Sequence, residues 1–163
     1  MIYKYYIGLG SNIEPKLEYM KSAVEKLNAL GHVVHKSSIY ATQPWGVKNQ
    51  SQFYNAVIEL HTQLTPQCLL TQIKHIEKEM GRSSSPQWGP REIDIDILFS
   101  NNFQVNESGL QIPHKQFKKR KFVLVPMAEV NGDFMITEGQ PTINEYLQGC
   151  QDTAQVVRLN LSW

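Results

Sequence analysis

From residue 92 to residue 97 acidic and isoleucine side chains alternate, Glu92-Ile93-Asp94-Ile95-Asp96-Ile97, and no other stretch restricts the fold as strongly. A period of two belongs to a β-strand, whose successive side chains point to opposite faces. Ile93, Ile95, Ile97 and Phe99 are then expected on one face, and Glu92, Asp94 and Asp96 on the other. The apolar face has to be covered by something. Neighbouring carboxylates on the acidic face would have Cα atoms about 6.5–7 Å apart, and they repel each other unless a cation or a proton sits between them. Oxygen-only ligands favour a hard cation such as Mg²⁺, which keeps several waters and shares its shell with phosphate oxygens. Arg91, just before the run, adds a fork-shaped permanent cation. Alternating Asp and Ile also describes the solvated face of an amphipathic strand. Asp is disfavoured in strands, however, and the loop Trp88-Gly89-Pro90-Arg91 delivers a cation to the same spot. The reading is a metal site suited to phosphoryl transfer.

The rest of the chain supplies the elements around this strand. Residues 3–9 read as a first strand, followed by Gly8-Leu9-Gly10-Ser11-Asn12. Pro15 opens a helix with an apolar stripe at Leu17, Met20, Val24 and Leu27, closed by Gly31. Residues 33–40 read as a second strand and 53–60 as a third, separated by a polar loop over 43–52. Thr65-Pro66 starts a second helix, with its stripe at Leu69, Ile73, Ile76 and Met80, and Gly81 ends it. A second polar loop over 82–91 leads into the strand 93–99. Strand, helix, strand, strand, helix, strand is the order of an α+β, ferredoxin-like split βαβ core: an antiparallel sheet with two main helices on one face. A hairpin around Asn101-Asn102, short helices near 115–130 and 142–148, and a closing strand near 155–161 are expected as appendages. Helices over the isoleucine face would leave the acidic face open as a groove floor, rimmed by two loops of binding-loop length.

At 163 residues the chain is expected to form a single domain, 1–163. A formal net charge of +1 with 19% charged residues gives no bias toward nucleic acid or an acidic membrane. Cys68 and Cys150 lie far apart without a CxxC, so neither a disulfide framework nor a zinc site is indicated, and a cytoplasmic setting is expected. No run approaches the ~20 apolar residues of a membrane span, and the apolar start of the chain is short for a signal segment. A monomer is the expectation.

Gly8-x-Gly10 lacks the third glycine of a dinucleotide fingerprint and the Gly-Lys-Ser/Thr of a P-loop, and reads as a tight turn before the first helix. Arg82, after Gly81, is either a helix C-terminal cation or a charge that closes on a polyphosphate. Glu77 reads as a helix-surface carboxylate within reach of the groove edge. Asn55 is polar on an apolar strand, and its amide suits the edge of a pyrimidine-like ring, with Phe53 and Phe122 available for the ring faces. His114-Lys115 and Lys118-Lys119-Arg120-Lys121 can supply phosphate contacts or form solvated basic turns.

Taken together, Gly-x-Gly-Ser-Asn, Tyr40-x-Thr42-x-Pro44, Asn55-Ala56, Gly81-Arg82, Trp88-Gly89-Pro90-Arg91-x-Ile93-Asp94-x-Asp96-Ile97, Ile112-Pro113-His114 and Arg120-x-Phe122 resemble the 6-hydroxymethyl-7,8-dihydropterin pyrophosphokinases of folate biosynthesis. The resemblance implies transfer of pyrophosphate from ATP to the pterin, releasing AMP, with two Mg²⁺ ions on Asp94 and Asp96. It implies ATP across Glu77, Trp88, Arg91, Ile97, His114 and Arg120. The pterin is implied between Phe53 and Phe122, read by Asn55 and the backbone of Thr42 and Trp45. Arg82, Arg91 and Asp96 are the implied catalytic residues, Asp96 being one candidate to take the hydroxyl proton. The chain departs from the family's pattern at Ser83-Ser84-Ser85-Pro86-Gln87, where further basic residues are usual, at Lys115, where an aromatic is common, and at Gly109, where a basic residue often sits. Weaker phosphate clamping by the second loop is expected, with Lys115 or Lys119 partly compensating. The competing readings are a ferredoxin-like module for single-stranded RNA, against which three acids on the strand argue, and a family relative that binds pterin or nucleotide without turnover.

Overall fold

In the computed structural model, residues 1–43, 49–82 and 90–163 are described. The chain begins with the long strand β1 (Tyr3–Ser11), in which Tyr5, Ile7 and Leu9 point to one face and Tyr6, Gly8 and Gly10 to the other. The helix α1 (Lys16–Asn28) follows, then two short strands, β2 (His32–Lys36) and β3 (Tyr40–Thr42), and the ten-residue β4 (Phe53–Thr62). The helix α2 (Pro66–Glu79) starts at Pro66, whose missing N–H belongs to a position without an intrahelical partner. β5 (Asp94–Ser100) carries the acidic alternation. A hairpin of β6 (Val105–Glu107) and β7 (Leu110–Ile112), the helices α3 (Lys121–Asn131) and α4 (Ile143–Gln148), and the strand β8 (Val156–Arg158) complete the chain.

Among the described residues the fold is mixed α/β, with a six-stranded sheet in the order β5-β1-β4-β3-β8 and β2 also paired to β4. The pairings within this sheet are antiparallel. α1 and α2 cover one face: Met20, Ala23 and Leu27 together with Leu69, Ile73 and Ile76 bury Tyr5, Ile7, Leu9, Ile93, Ile95 and Ile97. That burial is why α1 and α2 repeat apolar residues every three or four positions.

The sequence expectation that the opposite face stays open is corrected by a second core. Tyr6, Val57, Leu98 and Phe99 meet Phe117, Val123, Leu124, Met127, Phe134 and Ile143, so α3 and α4 cover much of that face. Phe99 belongs to this second core, not to the isoleucine face. The register explains it: Ile7 pairs with Ile97 and Tyr6 with Phe99, leaving Leu98 as an extra residue, a β-bulge that resets the alternation.

Other boundaries also differ from the sequence reading. The expected second strand, 33–40, is broken at Ser37-Ser38. Ser37 Oγ accepts the Val57 N–H at 2.9 Å, replacing a strand carbonyl, while the Ser37 N–H donates to Val57 O at 2.9 Å. The hairpin turn lies at Ser108-Gly109, with Gly109 at φ +84°, and not at Asn101-Asn102. α4 is closed at its start by a capping box: Thr142 Oγ1 accepts the Glu145 N–H, and Glu145 Oε2 accepts the Thr142 N–H. No described helix is long and apolar enough to cross a membrane.

Candidate active site

The register of β1 on β5 sets Gly8 directly opposite Asp96 and Gly10 directly opposite Asp94. Directly opposite residues of an antiparallel pair share a face, so each aspartate has a neighbour without a side chain. Gly-x-Gly therefore lies inside the strand and is not the tight turn expected before α1. The need for glycine is steric. A Cβ at Gly10 would stand 3.0 Å from Asn55 Oδ1, and one at Gly8 would stand 3.3 Å from a Leu98 methyl.

Over this bare floor opens a cleft lined by Thr42, Phe53, Asn55 and Phe122, with Arg91, Asp94, Asp96 and Arg120 also on its wall. Asn55 is 7% exposed, and its Nδ2 donates to Thr42 Oγ1 at 2.6 Å, which fixes the amide's orientation. The Arg120 guanidinium carbon lies 5.5 Å from the Phe122 ring centre. Phe53, Asn55, Thr42 and Phe122, distant in sequence, are thus brought together. Trp45 lies outside the described residues, as do Trp88 and residues 83–87.

Asp94 is held between two arginines: Arg82 Nη2 at 3.5 Å from Oδ1 and Arg91 Nη1 at 3.3 Å from Oδ2. Arg82 also donates to Glu77 Oε2 at 2.9 Å, and Glu77 Oε1 accepts the Ile95 N–H at 2.9 Å. Glu77 is only 2% exposed, so the surface-carboxylate reading is corrected. It lies at the junction of α2 and β5, where it satisfies a backbone donor on the free edge of the sheet. Asp96 has a different environment. Burial first, and then the neighbouring charges of Asp94 and Glu77, push its carboxyl up to about 7, against the opposing pull of Arg120 and Lys74. A carboxylate this poorly compensated fits a divalent cation. Among the described residues no group of three or more His, Cys, Asp or Glu is arranged to hold a metal ion. A cation on Asp94 and Asp96 would fill its shell from water or phosphate oxygens, as Mg²⁺ does.

A second cleft, lined by Leu70, Lys74, Ile97, Leu110, His114 and Lys115, lies on the other side of Asp96. Asp96 borders both clefts. The Ile95 N–H points away from β1 to reach Glu77, so Ile97, two positions on, turns its backbone N–H and C=O to the same outer edge. His114 is buried near Arg120, and these two influences, in that order, push its imidazole down to about 4. Its Nδ1 accepts the Gln116 N–H at 3.3 Å, which leaves the hydrogen on Nε2. His114 is therefore a neutral donor and not a cation. Lys115 lines the second cleft, whereas Lys119 lines neither.

Two participants were not singled out in the sequence reading. Lys74 lines the second cleft and lies 3.4 Å from Glu77 Oε2, and its only sequence signal is a place three residues before Glu77 on α2. Asn12 appeared only as the end of the Gly-x-Gly-Ser-Asn motif, yet its amide accepts the Arg91 N–H at 2.9 Å.

The chain is 44% identical to a 2-amino-4-hydroxy-6-hydroxymethyldihydropteridine pyrophosphokinase of Methylorubrum extorquens over 87% of its own length and 90% of that protein. It is 35% identical to the Haemophilus influenzae protein of the same name, over 95% of this chain and 97% of that one. The fold superposes on a crystal structure of wild-type Plasmodium falciparum HPPK-DHPS with pteroate at a TM-score of 0.74 and 16% identity, covering 91% of this chain but only 44% of that one. The sequence profile of the 7,8-dihydro-6-hydroxymethylpterin-pyrophosphokinases matches residues 6–132, and to that family the chain belongs.

Proposed function

We propose that this chain transfers pyrophosphate from ATP to 6-hydroxymethyl-7,8-dihydropterin, giving the (7,8-dihydropterin-6-yl)methyl diphosphate and AMP, a step of folate biosynthesis. The observation that carries the reading is that Asp96 borders both clefts. A transfer between two bound substrates needs such a shared wall. The pterin ring lies between Phe53 and Phe122, and Asn55 with the Thr42 backbone reads its edge. ATP occupies the second cleft, its base against the outward backbone of Ile97 and the edge of α2 at Glu77, and its phosphates run past Asp96 toward Arg91 and Arg120.

The chemistry asks for alignment and charge neutralisation more than covalent catalysis. Arg82 and Arg91, which clamp Asp94, supply paired donors for the transferring phosphoryl oxygens. His114 donates from Nε2 to a phosphate oxygen, and Lys115 adds a cation at the cleft rim. Two Mg²⁺ ions on Asp94 and Asp96 would neutralise the phosphate charge. The substrate's hydroxymethyl oxygen attacks the β-phosphorus, AMP leaves, and Asp96 is assigned the hydroxyl proton. Loss of further basic residues at 83–87 should weaken the grip on phosphate, and Lys74 and Lys115 share that load. We also read the β5-β1-β4 order, with β2 and β3 on the far side of β4, as a split βαβ, ferredoxin-like core in one domain over 1–163, acting as a monomer in the cytoplasm. The acids on the floor of the cleft disfavour an RNA-binding surface.

AMP release with ATP, Mg²⁺ and the dihydropterin tests the proposal. Asp94→Ala and Asp96→Ala should each lower the rate by at least ~10³-fold, the scale of losing a main electrostatic contributor, with unchanged far-ultraviolet circular dichroism. A wild-type chain that releases no AMP, or aspartate variants that keep their rate, would refute it.

A further inference from the structure

Asn12 follows directly on β1 and is 4% exposed, and its four polar groups divide evenly between the two sides of the site. Its backbone N–H donates to Arg91 O at 3.2 Å, and its Oδ1 accepts the Arg91 N–H at 2.9 Å. Its Nδ2 donates to Gln50 Oε1 at 2.7 Å and to Ser51 O at 3.2 Å, and its own carbonyl accepts from Ser51 Oγ at 2.6 Å. Arg91 carries the guanidinium that pairs with Asp94, on the phosphate side. Gln50 and Ser51 lead within five residues into Phe53 and Asn55, on the pterin side.

We propose that Asn12 is a positioning residue that sets the phosphate-side arginine and the pterin-side segment in register with each other. The argument is one of geometry. A strand end needs one or two hydrogen bonds to be satisfied, and a serine or threonine supplies them. Only a side chain with an acceptor and a donor on one planar head reaches both segments at once. The planar head transmits a shift of either segment to the other, and a displacement of about 1 Å at a reacting centre can cost ~100-fold in rate. The proposal rests on the pyrophosphokinase reading, and its test is arranged to separate the two.

Two substitutions divide the roles. Asn12→Ala removes both side-chain arms. Asn12→Asp keeps the acceptor for the Arg91 N–H but sets an oxygen against the Ser51 carbonyl. In AMP-release kinetics with each substrate varied, Asn12→Ala should lower kcat by ~100-fold and raise the pterin KM. Asn12→Asp should hold kcat within ~3-fold while the pterin KM rises ~10-fold, the scale of one lost hydrogen bond. Hydrogen exchange at the Arg91 amide should be fast in Asn12→Ala and protected in Asn12→Asp. The idea fails if Asn12→Ala matches wild type, if both variants lose kcat alike, or if Arg91 amide protection survives in both. Should Asn12→Ala not fold, an unchanged pterin KM in Asn12→Asp is by itself decisive against it. A wild type without AMP release would overturn the proposed activity, and the exchange measurement would still decide the coupling.

Discussion

Asp96 and His114, both on the wall of the second cleft, are shifted in opposite directions. With its carboxyl raised from 3.8 to about 7, Asp96 in the folded chain holds a proton that the unfolded chain has released. Its contribution to stability is therefore full below pH ~4 and is lost as pH rises toward 7. His114 is lowered from 6.5 to about 4, so between those values the unfolded chain holds the extra proton and stability rises with pH. Each slope is ~1.4 kcal/mol per pH unit, and between pH ~4 and ~6.5 they largely cancel. Urea denaturation in the presence of a chelator should show Asp96→Asn gaining stability relative to wild type from pH 4 to 7, then running parallel above 7. His114→Gln should gain relative to wild type toward pH 4. An Asp96→Asn curve parallel to wild type across the whole range would mean that Asp96 titrates as an ordinary surface acid. At this scale the aspartates were legible, because Asp on a strand announces itself against β-propensity. Glu77 was not, because its burial depends on α2 lying against the outer edge of β5, and nothing within the helix records that edge.

At the scale of elements, β1 is a strand because its apolar alternation continues through two glycines, and it is a binding floor because those glycines face the aspartates. Gly10→Ala should push the Asn55 amide from its bond with Thr42, which is set by a Cβ approach of 3.0 Å. Pterin binding by titration should weaken about tenfold, the scale of one lost hydrogen bond, while nucleotide binding stays within twofold of wild type. Unchanged pterin affinity would place the ring elsewhere. The two long helices and the four core strands were readable from their periods. The break between β2 and β3 was not, since serines at 37 and 38 interrupt no apolar pattern and act only through the Val57 partner that β4 supplies. Gly8-x-Gly10 misled for a related reason: glycine marks turns and close approaches alike, and only the strand opposite tells them apart.

For the molecule as a whole, the cost of the site is a sheet covered on both faces. The acidic end stays uncovered while α3 and α4 bury the remainder, with Phe99 meeting Phe117 edge-on at 4.9 Å and Phe134 at 5.8 Å. Phe99→Ala should lower unfolding stability by ~3–5 kcal/mol, measured by urea denaturation, because the surrounding rings cannot collapse fully into the gap. A loss under 1 kcal/mol would show that the α3/α4 layer does not lean on this residue. The second layer was invisible in the sequence because unbroken alternation sets Phe99 on the isoleucine face. One supernumerary residue thus lets a single strand serve two opposed hydrophobic interiors in succession. The same residues in unbroken alternation would turn Phe99 inward toward α1 and α2, away from Phe117 and Phe134, while the catalytic half stayed as it is.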